Sequence, residues 1–124
     1  MHRLRVAILL MPAALCLAGC NGWQSAAAPV PFGDAQHGAQ LIVKSGCGTC
    51  HEIPGIADAE GHVGPPLDHM AVRTIIAGVL PNTPDNMRLW LKNPQAIVAG
   101  NAMPNMELSD DEAKDITAYL YTLR

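Results

Sequence analysis

Two cysteines and a histidine stand at a spacing that supports a specific covalent chemistry. The segment Cys47-Gly48-Thr49-Cys50-His51 separates two thiols by two residues, and an imidazole directly follows the second thiol. This Cys-x-x-Cys-His pattern is the attachment signal of c-type haem, in which both thiols add to haem vinyl groups and the histidine binds the iron. The sequence therefore predicts one covalently bound haem c, held by Cys47 and Cys50, with His51 as the proximal iron ligand.

Two other kinds of site also use paired cysteines. A thioredoxin-like redox pair requires a strand before the motif and a βαβ context, and no strand-like alternation precedes Cys47. A zinc site of this type needs a second pair of ligands, and the other two cysteines, Cys16 and Cys20, belong to the N-terminal segment. Haem is therefore favoured over both alternatives.

The composition describes a small chain that is poor in aromatic residues. Its 124 residues include two tryptophans, two tyrosines and one phenylalanine; 49% are apolar, and the net charge is −3. This length corresponds to one domain, and the mild acidic balance excludes a basic surface for nucleic acid. Because so few aromatic side chains are available to fill a core, a bound planar cofactor would supply apolar contacts that the chain lacks.

The N-terminal residues indicate export and lipid attachment. Basic residues precede an apolar run from Val6 to Ala18, which as a helix would span about 20 Å and is too short for a hydrocarbon core of ~30 Å. The run ends in Leu17-Ala18-Gly19-Cys20, which resembles the lipobox of bacterial lipoproteins. We expect a signal peptide over residues 1–19, a lipidated Cys20 and a flexible tether over residues 20–33. An ordinary signal peptide with an incidental cysteine is the alternative.

Residues 34–124 are expected to form an all-α domain of short helices and long loops. Three helices begin at capping signals, which are Asp34, Thr83-Pro84 and the capping box Ser109-Asp110-Asp111-Glu112. The first helix is predicted to end near Ser45 and the second near Lys92. The third carries an apolar stripe of Ile116, Leu120 and Leu123.

Two further segments complete the predicted domain. Residues 46–66 are rich in glycine and proline, and so long an irregular loop suggests that something other than protein organises it. Five apolar residues then recur at the spacing of one helix face, which predicts a further helix, and they are Val72, Ile75, Ile76, Val79 and Leu80.

The chain resembles class I cytochrome c from Asp34 to Arg124, and in particular the cytochrome c domain fused to subunit II of some bacterial haem–copper oxidases. Beside the attachment motif, the similar stretches are residues 73–78, 80–84, 90–91, 93–95 and 100–104. The resemblance implies a small all-α fold wrapped around one covalent haem. Subunit II also carries a copper-binding β-domain and two membrane spans, for which 124 residues leave no room. We therefore expect a free-standing carrier, with an oxidase subunit as the alternative.

Four methionines follow the predicted signal peptide and are candidates for the second axial ligand, namely Met70, Met87, Met103 and Met106. Met87 lies in a predicted helix and Met70 closely follows the attachment loop. Met103 lies in a loop between two helices, before a proline, and the distal methionine of the family precedes a proline in the same place. This favours Met103, with Met106 as the alternative. A thioether opposite an imidazole favours ferrous iron and raises the reduction potential relative to two histidines.

Four more residues have expected roles around the cofactor. The resemblance implies that the carbonyl of Pro65 accepts the Nδ1–H of the proximal histidine and that Leu67 packs on the haem face. We expect Trp90 to donate its indole N–H to a propionate and Arg73 to balance a propionate charge, with a core tryptophan and a solvated arginine as the simpler interpretations. The remaining histidines are expected to lie at the surface without binding iron, and they are His37, His62 and His69.

These features predict a lipid-anchored, monohaem electron carrier of a bacterial respiratory chain. It is exported to the cell envelope, with its haem domain in the periplasm. Its expected partners are respiratory redox proteins, among them a haem–copper oxidase, and the membrane that holds its lipid. No bond-making active site is visible, so we do not expect an enzyme. The alternatives are a haem-bearing subunit of a terminal oxidase or periplasmic dehydrogenase, and a haem sensor or peroxidase in which an external ligand replaces Met103.

Overall fold

The first described helix begins at a capping aspartate, as predicted. In the computed structural model, which describes residues 32–124, the Asp34 carboxylate accepts hydrogen bonds from the main-chain N–H groups of Gln36 and His37 at 2.9 and 3.1 Å. Helix α1 runs over Ala35–Lys44 and buries Leu41 and Ile42. The predicted signal peptide, the lipidated cysteine and the tether up to residue 31 lie outside the described residues.

The segment after α1 is irregular, as predicted, but hydrogen bonds close it into a compact loop. It starts with one turn of 3-10 helix over Cys47–Thr49. The main-chain N–H of Ile53 donates to the carbonyl of Ala59 at 3.1 Å, and the Tyr119 hydroxyl donates to the carbonyl of Pro54 at 2.6 Å. The loop is therefore tied both to itself and to the last helix of the chain.

The helix face predicted over residues 72–80 is wrong. The structure has a 3-10 turn over Met70–Val72, followed by strand β1 over Ile75–Ile76 and strand β2 over Leu80–Pro81. The two strands pair antiparallel, with Ile76 opposite Leu80. Of the five residues predicted to share a buried face, only Ile76 is fully buried, and three are mainly exposed: Val72, Ile75 and Val79.

The backbone between β1 and β2 explains why no helix forms there. Ala77 and Gly78 both have positive φ angles, 53° and 72°, which a right-handed helix does not contain. They form a tight turn in which the Val79 N–H donates to the Ile76 carbonyl at 3.2 Å. The side-chain amide of Asn82 then donates to two main-chain carbonyls of the preceding segment, those of Met70 and Arg73, at 2.7 and 2.8 Å.

Three helices complete the domain. Helix α2 spans Pro84–Lys92, α3 spans Pro94–Ile97 and α4 spans Asp110–Leu120. The capping box is confirmed, since the Ser109 hydroxyl accepts from the Glu112 N–H and the Glu112 carboxylate accepts from the Ser109 N–H. Leu123 lies beyond the end of α4, although it still packs against the core.

Helices α1 and α4 pack closely because one contact position has no side chain. A Cβ atom at Gly38 would overlap the main chain of Asp115. The Asp115 carboxylate also accepts from the main-chain N–H of Asp34 and from Nδ1 of His37, both at 2.8 Å. Before α1, the rings of Phe32 and Tyr121 pack edge to face, with a centroid distance of 5.5 Å and an interplanar angle of 88°.

The architecture is the expected all-α one, with a two-stranded hairpin as its only sheet among residues 32–124. In this same range, no helix is both long enough and apolar enough to cross a membrane.

Candidate functional site

A cavity of about 470 Å³ opens between the attachment loop, the hairpin, α2 and the loop that precedes α4. Its size lies within the range of about 300–1,000 Å³ that is typical of small-molecule and cofactor sites. Apolar side chains from α1, α2 and α4 form its floor, among them Ile42, Met87 and Ile116. A flat apolar cofactor would therefore complete the core, as the scarcity of aromatic residues suggests.

The cavity brings together almost all of the predicted cofactor residues. Those that line it are Cys47, His51, Pro65, Leu67, Arg73, Trp90 and Met103. Cys50 lines an adjoining cavity of about 150 Å³, which Cys47, His51 and Met103 also line. Cys47 thus lines both cavities and Cys50 only the smaller one, and both predicted axial ligands line both spaces.

The attachment motif is held in one tight turn. Gly46 has a φ of 69° and precedes the 3-10 turn, and the carbonyl of Cys47 accepts from the N–H groups of Cys50 and His51 at 3.2 and 3.0 Å. Both thiols are half-buried and form no disulfide. Burial raises the pKa of the Cys47 thiol and the nearby Cys50 raises it further, against a main-chain hydrogen bond that lowers it. Cys47 is therefore a neutral thiol at pH 7.

The imidazole of His51 is fixed in orientation by the chain segment that follows the loop. Its Nδ1 lies 2.7 Å from the carbonyl oxygen of Pro65. Because a carbonyl oxygen only accepts, Nδ1 carries the proton, and Nε2 is left as the lone-pair nitrogen that a metal requires. A Cβ atom at Gly64 would overlap the ring, so this glycine provides the space in which the imidazole lies.

Met103 is half-buried in the loop between α3 and α4. It lines both cavities, whereas Met106 lines only the smaller one. Met70 and Met87 also line the larger cavity, but both are almost fully buried, and Met87 is held within α2. Met103 is therefore the one of these four methionines that lines both cavities.

Arg73 has a local role in addition to its place at the cavity wall. Its Nη2 donates to the carbonyls of Pro66 and Asp68 at 2.6 and 2.9 Å and to the Asp68 carboxylate at 3.0 Å. The guanidinium thus joins residues 66 and 68 to the segment that directly precedes the hairpin. Trp90 is half-buried on α2 and lines the cavity.

Sequence reasoning missed two residues that shape the site, Gly64 and Asn82. For Gly64, a glycine beside a proline whose carbonyl is expected to meet the ligand histidine is the signal that would have indicated close packing on the ring. Asn82 holds the backbone on both sides of the 3-10 turn, and its Oδ1 accepts from the Tyr121 hydroxyl at 2.7 Å. Within the described part of the chain, the other three histidines line neither cavity: His37, His62 and His69.

Comparison with known proteins agrees with this geometry. The sequence profile of the family described as "Cytochrome c" matches residues 35–124. The chain is 32% identical over 91 residues to cytochrome c oxidase subunit 2 of Alkalihalophilus pseudofirmus and 34% identical over 94 residues to that of Bacillus subtilis. It is 27% identical over 105 residues to the same subunit of Bacillus sp. strain PS3.

The similarity covers most of this chain but a small part of each relative. It spans 73%, 73% and 82% of the chain and 26%, 26% and 30% of the three relatives, in the same order.

Three observations lead to one conclusion: the Cys-x-x-Cys-His turn, the oriented imidazole beside an apolar cavity, and the family match over residues 35–124. This chain belongs to the cytochrome c family of electron-transfer proteins, which bind haem covalently.

Proposed function

We propose that this protein carries single electrons on one covalently bound haem c in a bacterial respiratory chain. The observation that carries the proposal is that His51 and Met103 line the same cavity, with Cys47 on its rim. When bound, the haem iron supplies a reversible one-electron change between its ferric and ferrous forms.

The residues of the attachment turn would hold the group. The Cys47 and Cys50 thiols would each form a thioether with a haem vinyl group, with the thiol hydrogen taken up by the other vinyl carbon and nothing released. His51 would bind the iron through Nε2. The Pro65 carbonyl holds the ring by accepting the Nδ1–H, and this bond would also strengthen the imidazole as a donor.

The opposite wall of the cavity would supply the second ligand and a dry environment. Met103 contributes a neutral thioether, which favours the ferrous state relative to a second imidazole. With His51 and Met103 both holding the iron, no position would be left for a substrate, as suits an electron carrier. Leu67 and the apolar floor would keep water away, and Trp90 and Arg73, which line the cavity, would meet the propionates.

Retention of haem under denaturing conditions tests the covalent attachment. Haem should remain with the polypeptide through denaturation and acid–acetone extraction. The single variants Cys47→Ser and Cys50→Ser should each lose one thioether, and the double variant should release haem into the organic phase. Release of haem from the unmodified protein would contradict the proposal.

We further propose that the mature protein is anchored by lipid at Cys20, with the haem domain in the periplasm. Residues 1–19 act as the signal peptide, and an added diacylglycerol and acyl chain together suffice for stable membrane attachment. Cys20→Ser removes the thiol that receives the lipid, so the protein should leave the membrane fraction or keep its signal peptide. Cys16→Ser is the matched control, and it should fractionate like the unmodified protein.

A second candidate is a haem-bearing redox subunit of a larger complex, such as a terminal oxidase or a periplasmic dehydrogenase. The similarity to three cytochrome c oxidase subunits favours it. Purification from native membranes distinguishes the two: a stoichiometric complex with haem–copper oxidase subunits supports the second candidate. A monomer that exchanges electrons in transient encounters supports the first.

A further inference from the structure

Two side-chain amides hold the loop that carries Met103. Gln95, in the first turn of α3, donates from Nε2 to the main-chain carbonyls of Met103 and Asn101 at 2.7 and 2.9 Å. Its Oε1 accepts from the main-chain N–H of Gly100 at 3.0 Å. Both amide hydrogens and the amide oxygen of this side chain are thus engaged with one loop.

Asn101 holds the same loop from within. Its Oδ1 accepts from the main-chain N–H of Met103 at 2.8 Å, and its Nδ2 donates to the carbonyls of Val98 and Pro94 at 2.6 and 3.2 Å. Consequently both main-chain polar groups of Met103 are bound by side chains: the N–H by Asn101 and the C=O by Gln95.

The base of this arrangement is rigid. Pro94, the first residue of α3, is one of the most deeply buried residues of the described chain, and its carbonyl also accepts from the Val98 N–H at 2.9 Å. The loop itself contains neither helix nor strand between α3 and α4. Its geometry at Met103 therefore depends on the two amides rather than on a regular main-chain ladder.

We infer that Gln95 and Asn101 are positioning residues that hold the Met103 thioether at the haem iron and thereby set how often it dissociates. The inference rests on the proposed function, because it requires Met103 to be the distal ligand. A neutral thioether is a more weakly held ligand than the imidazole of His51, which lies directly beside the covalent attachment at Cys47 and Cys50. The loop that presents it consequently controls the fraction of time for which the iron is open to an external ligand.

Carbon monoxide binding to the ferrous holoprotein measures how often the thioether dissociates. At saturating carbon monoxide, the binding rate equals the rate at which the Met103 thioether leaves. Gln95→Glu keeps the size of the side chain but replaces two N–H donors with an oxygen that faces two carbonyls, and Gln95→Ala removes the side chain. Gln95→Glu loses two hydrogen bonds to the loop and Gln95→Ala loses three, so the limiting rate should rise about tenfold or more in each.

Two variants serve as matched controls. Asn105→Ala removes a side chain that accepts from the main-chain N–H of Gln95 but makes no hydrogen bond to Met103. Asp34→Ala removes the cap of α1 and lowers overall stability far from the loop. Both should bind carbon monoxide at the limiting rate of the unmodified protein. If the Gln95 variants behave like Asp34→Ala, the inference is overturned.

Amide hydrogen exchange gives a second measurement that does not depend on the iron. The Met103 N–H should exchange slowly in the unmodified protein and about tenfold faster or more in Gln95→Glu, whereas the N–H of the fully buried Ala118 on α4 should be unaffected. An unchanged exchange rate at Met103 in a Gln95 variant that folds would overturn the inference, whether or not the other Gln95 variant folds.

Met103→Ala separates the inference from the proposed function. If Met103 is the ligand, this variant binds carbon monoxide with no limiting rate. If it keeps the limiting rate of the unmodified protein, the ligand assignment itself fails. If Met103→Ala behaves as expected and the Gln95 variants do not, only the inference about the amides fails.

Discussion

The Nδ1–H of His51 donates to the carbonyl oxygen of Pro65 at 2.7 Å, and this bond joins the attachment turn to a segment 14 residues later in the chain. A main-chain bond runs alongside it, from the Gly64 N–H to the Cys50 carbonyl at 2.8 Å. The imidazole is therefore oriented by the backbone of residues 64–65 and not by the motif that contains it. Substitutions outside the motif should consequently affect the iron site.

Gly64→Ala is the most direct test of this relationship. The added Cβ would overlap the His51 ring, so the ring must turn or the Pro65 carbonyl must move away. We expect a loss of stability of about 1–3 kcal/mol and a lower reduction potential or a mixed-spin absorption spectrum at temperatures well below unfolding.

Gly38→Ala is the control for Gly64→Ala. Its Cβ would overlap the main chain of Asp115 on α4, and neither Gly38 nor Asp115 lines the cavity. It should lower the melting temperature and leave the potential and spectrum of the folded protein unchanged. Equal spectral changes in both variants would show that His51 responds to general loosening and not to Gly64.

Met103 and Met106 are distinguished by optical spectra and redox titration. Met103→Ala should abolish the methionine-to-ferric-iron charge-transfer band, and Met103→His should keep six-coordination but lower the reduction potential. Met106→Ala should change neither quantity and cost up to about 2 kcal/mol of stability, because that side chain is half-buried. A band that persists in Met103→Ala and vanishes in Met106→Ala would assign the ligand to Met106.

The acid stability of the domain should depend on Asp115. Burial acts to raise the pKa of this carboxyl, but the hydrogen bonds from the Asp34 N–H and from His37, with the charges of His37 and Lys114, lower it overall. Its folded pKa thus lies below the unfolded value of about 3.9. The stabilisation is present above the unfolded pKa and is lost as pH falls through the folded pKa.

Asp115→Asn should flatten the acid side of the stability profile, measured by urea unfolding at a series of pH values from neutral to strongly acidic. Asp111→Asn is a matched control, because Asp111 is an exposed residue on the same helix and outside this hydrogen-bonded group. An acid limb as steep in Asp115→Asn as in the unmodified protein would rule out a role for Asp115.

The hairpin that replaces the predicted helix can be stabilised or weakened at its turn. Ala77 has a φ of 53°, a conformation that asparagine tolerates better than alanine, so Ala77→Asn should raise the free energy of unfolding by about 0.5 kcal/mol. Gly78→Ala adds a side chain at a φ of 72° where no heavy atom lies within 4 Å, so only backbone strain opposes it. It should cost about 1 kcal/mol. Denaturant unfolding measures both, and a stabilising Gly78→Ala would contradict the turn geometry.

Residues 72–80 show why a helical spacing can mislead. Their apolar side chains repeat as on a helix face, yet the segment is short, and its backbone is set by the Ala77-Gly78 turn and by Asn82, which binds carbonyls of the preceding segment. A spacing rule treats such residues as members of one face. Here Val72 and Val79 are mainly exposed and only Ile76 is fully buried.

Local chemistry determined the parts of this protein that the sequence alone predicted. Asp34, Thr83 and Ser109 bind the main-chain N–H groups of their own helices, and the two thiols and the imidazole of the attachment motif are neighbours in the chain. Interactions of this range depend on a few consecutive residues, so their outcome can be inferred before the chain is folded.

Only the tertiary structure decided how distant segments meet around the cavity. It placed Gly64 against the His51 ring, and it engaged Gln95 and Asn101 with the backbone of Met103. It also turned Arg73 towards the carbonyls of its own loop. An amide or guanidinium group has several donors and many possible acceptors, and which of them it satisfies depends on which segments folding brings within about 3 Å. No spacing within one segment contains that information.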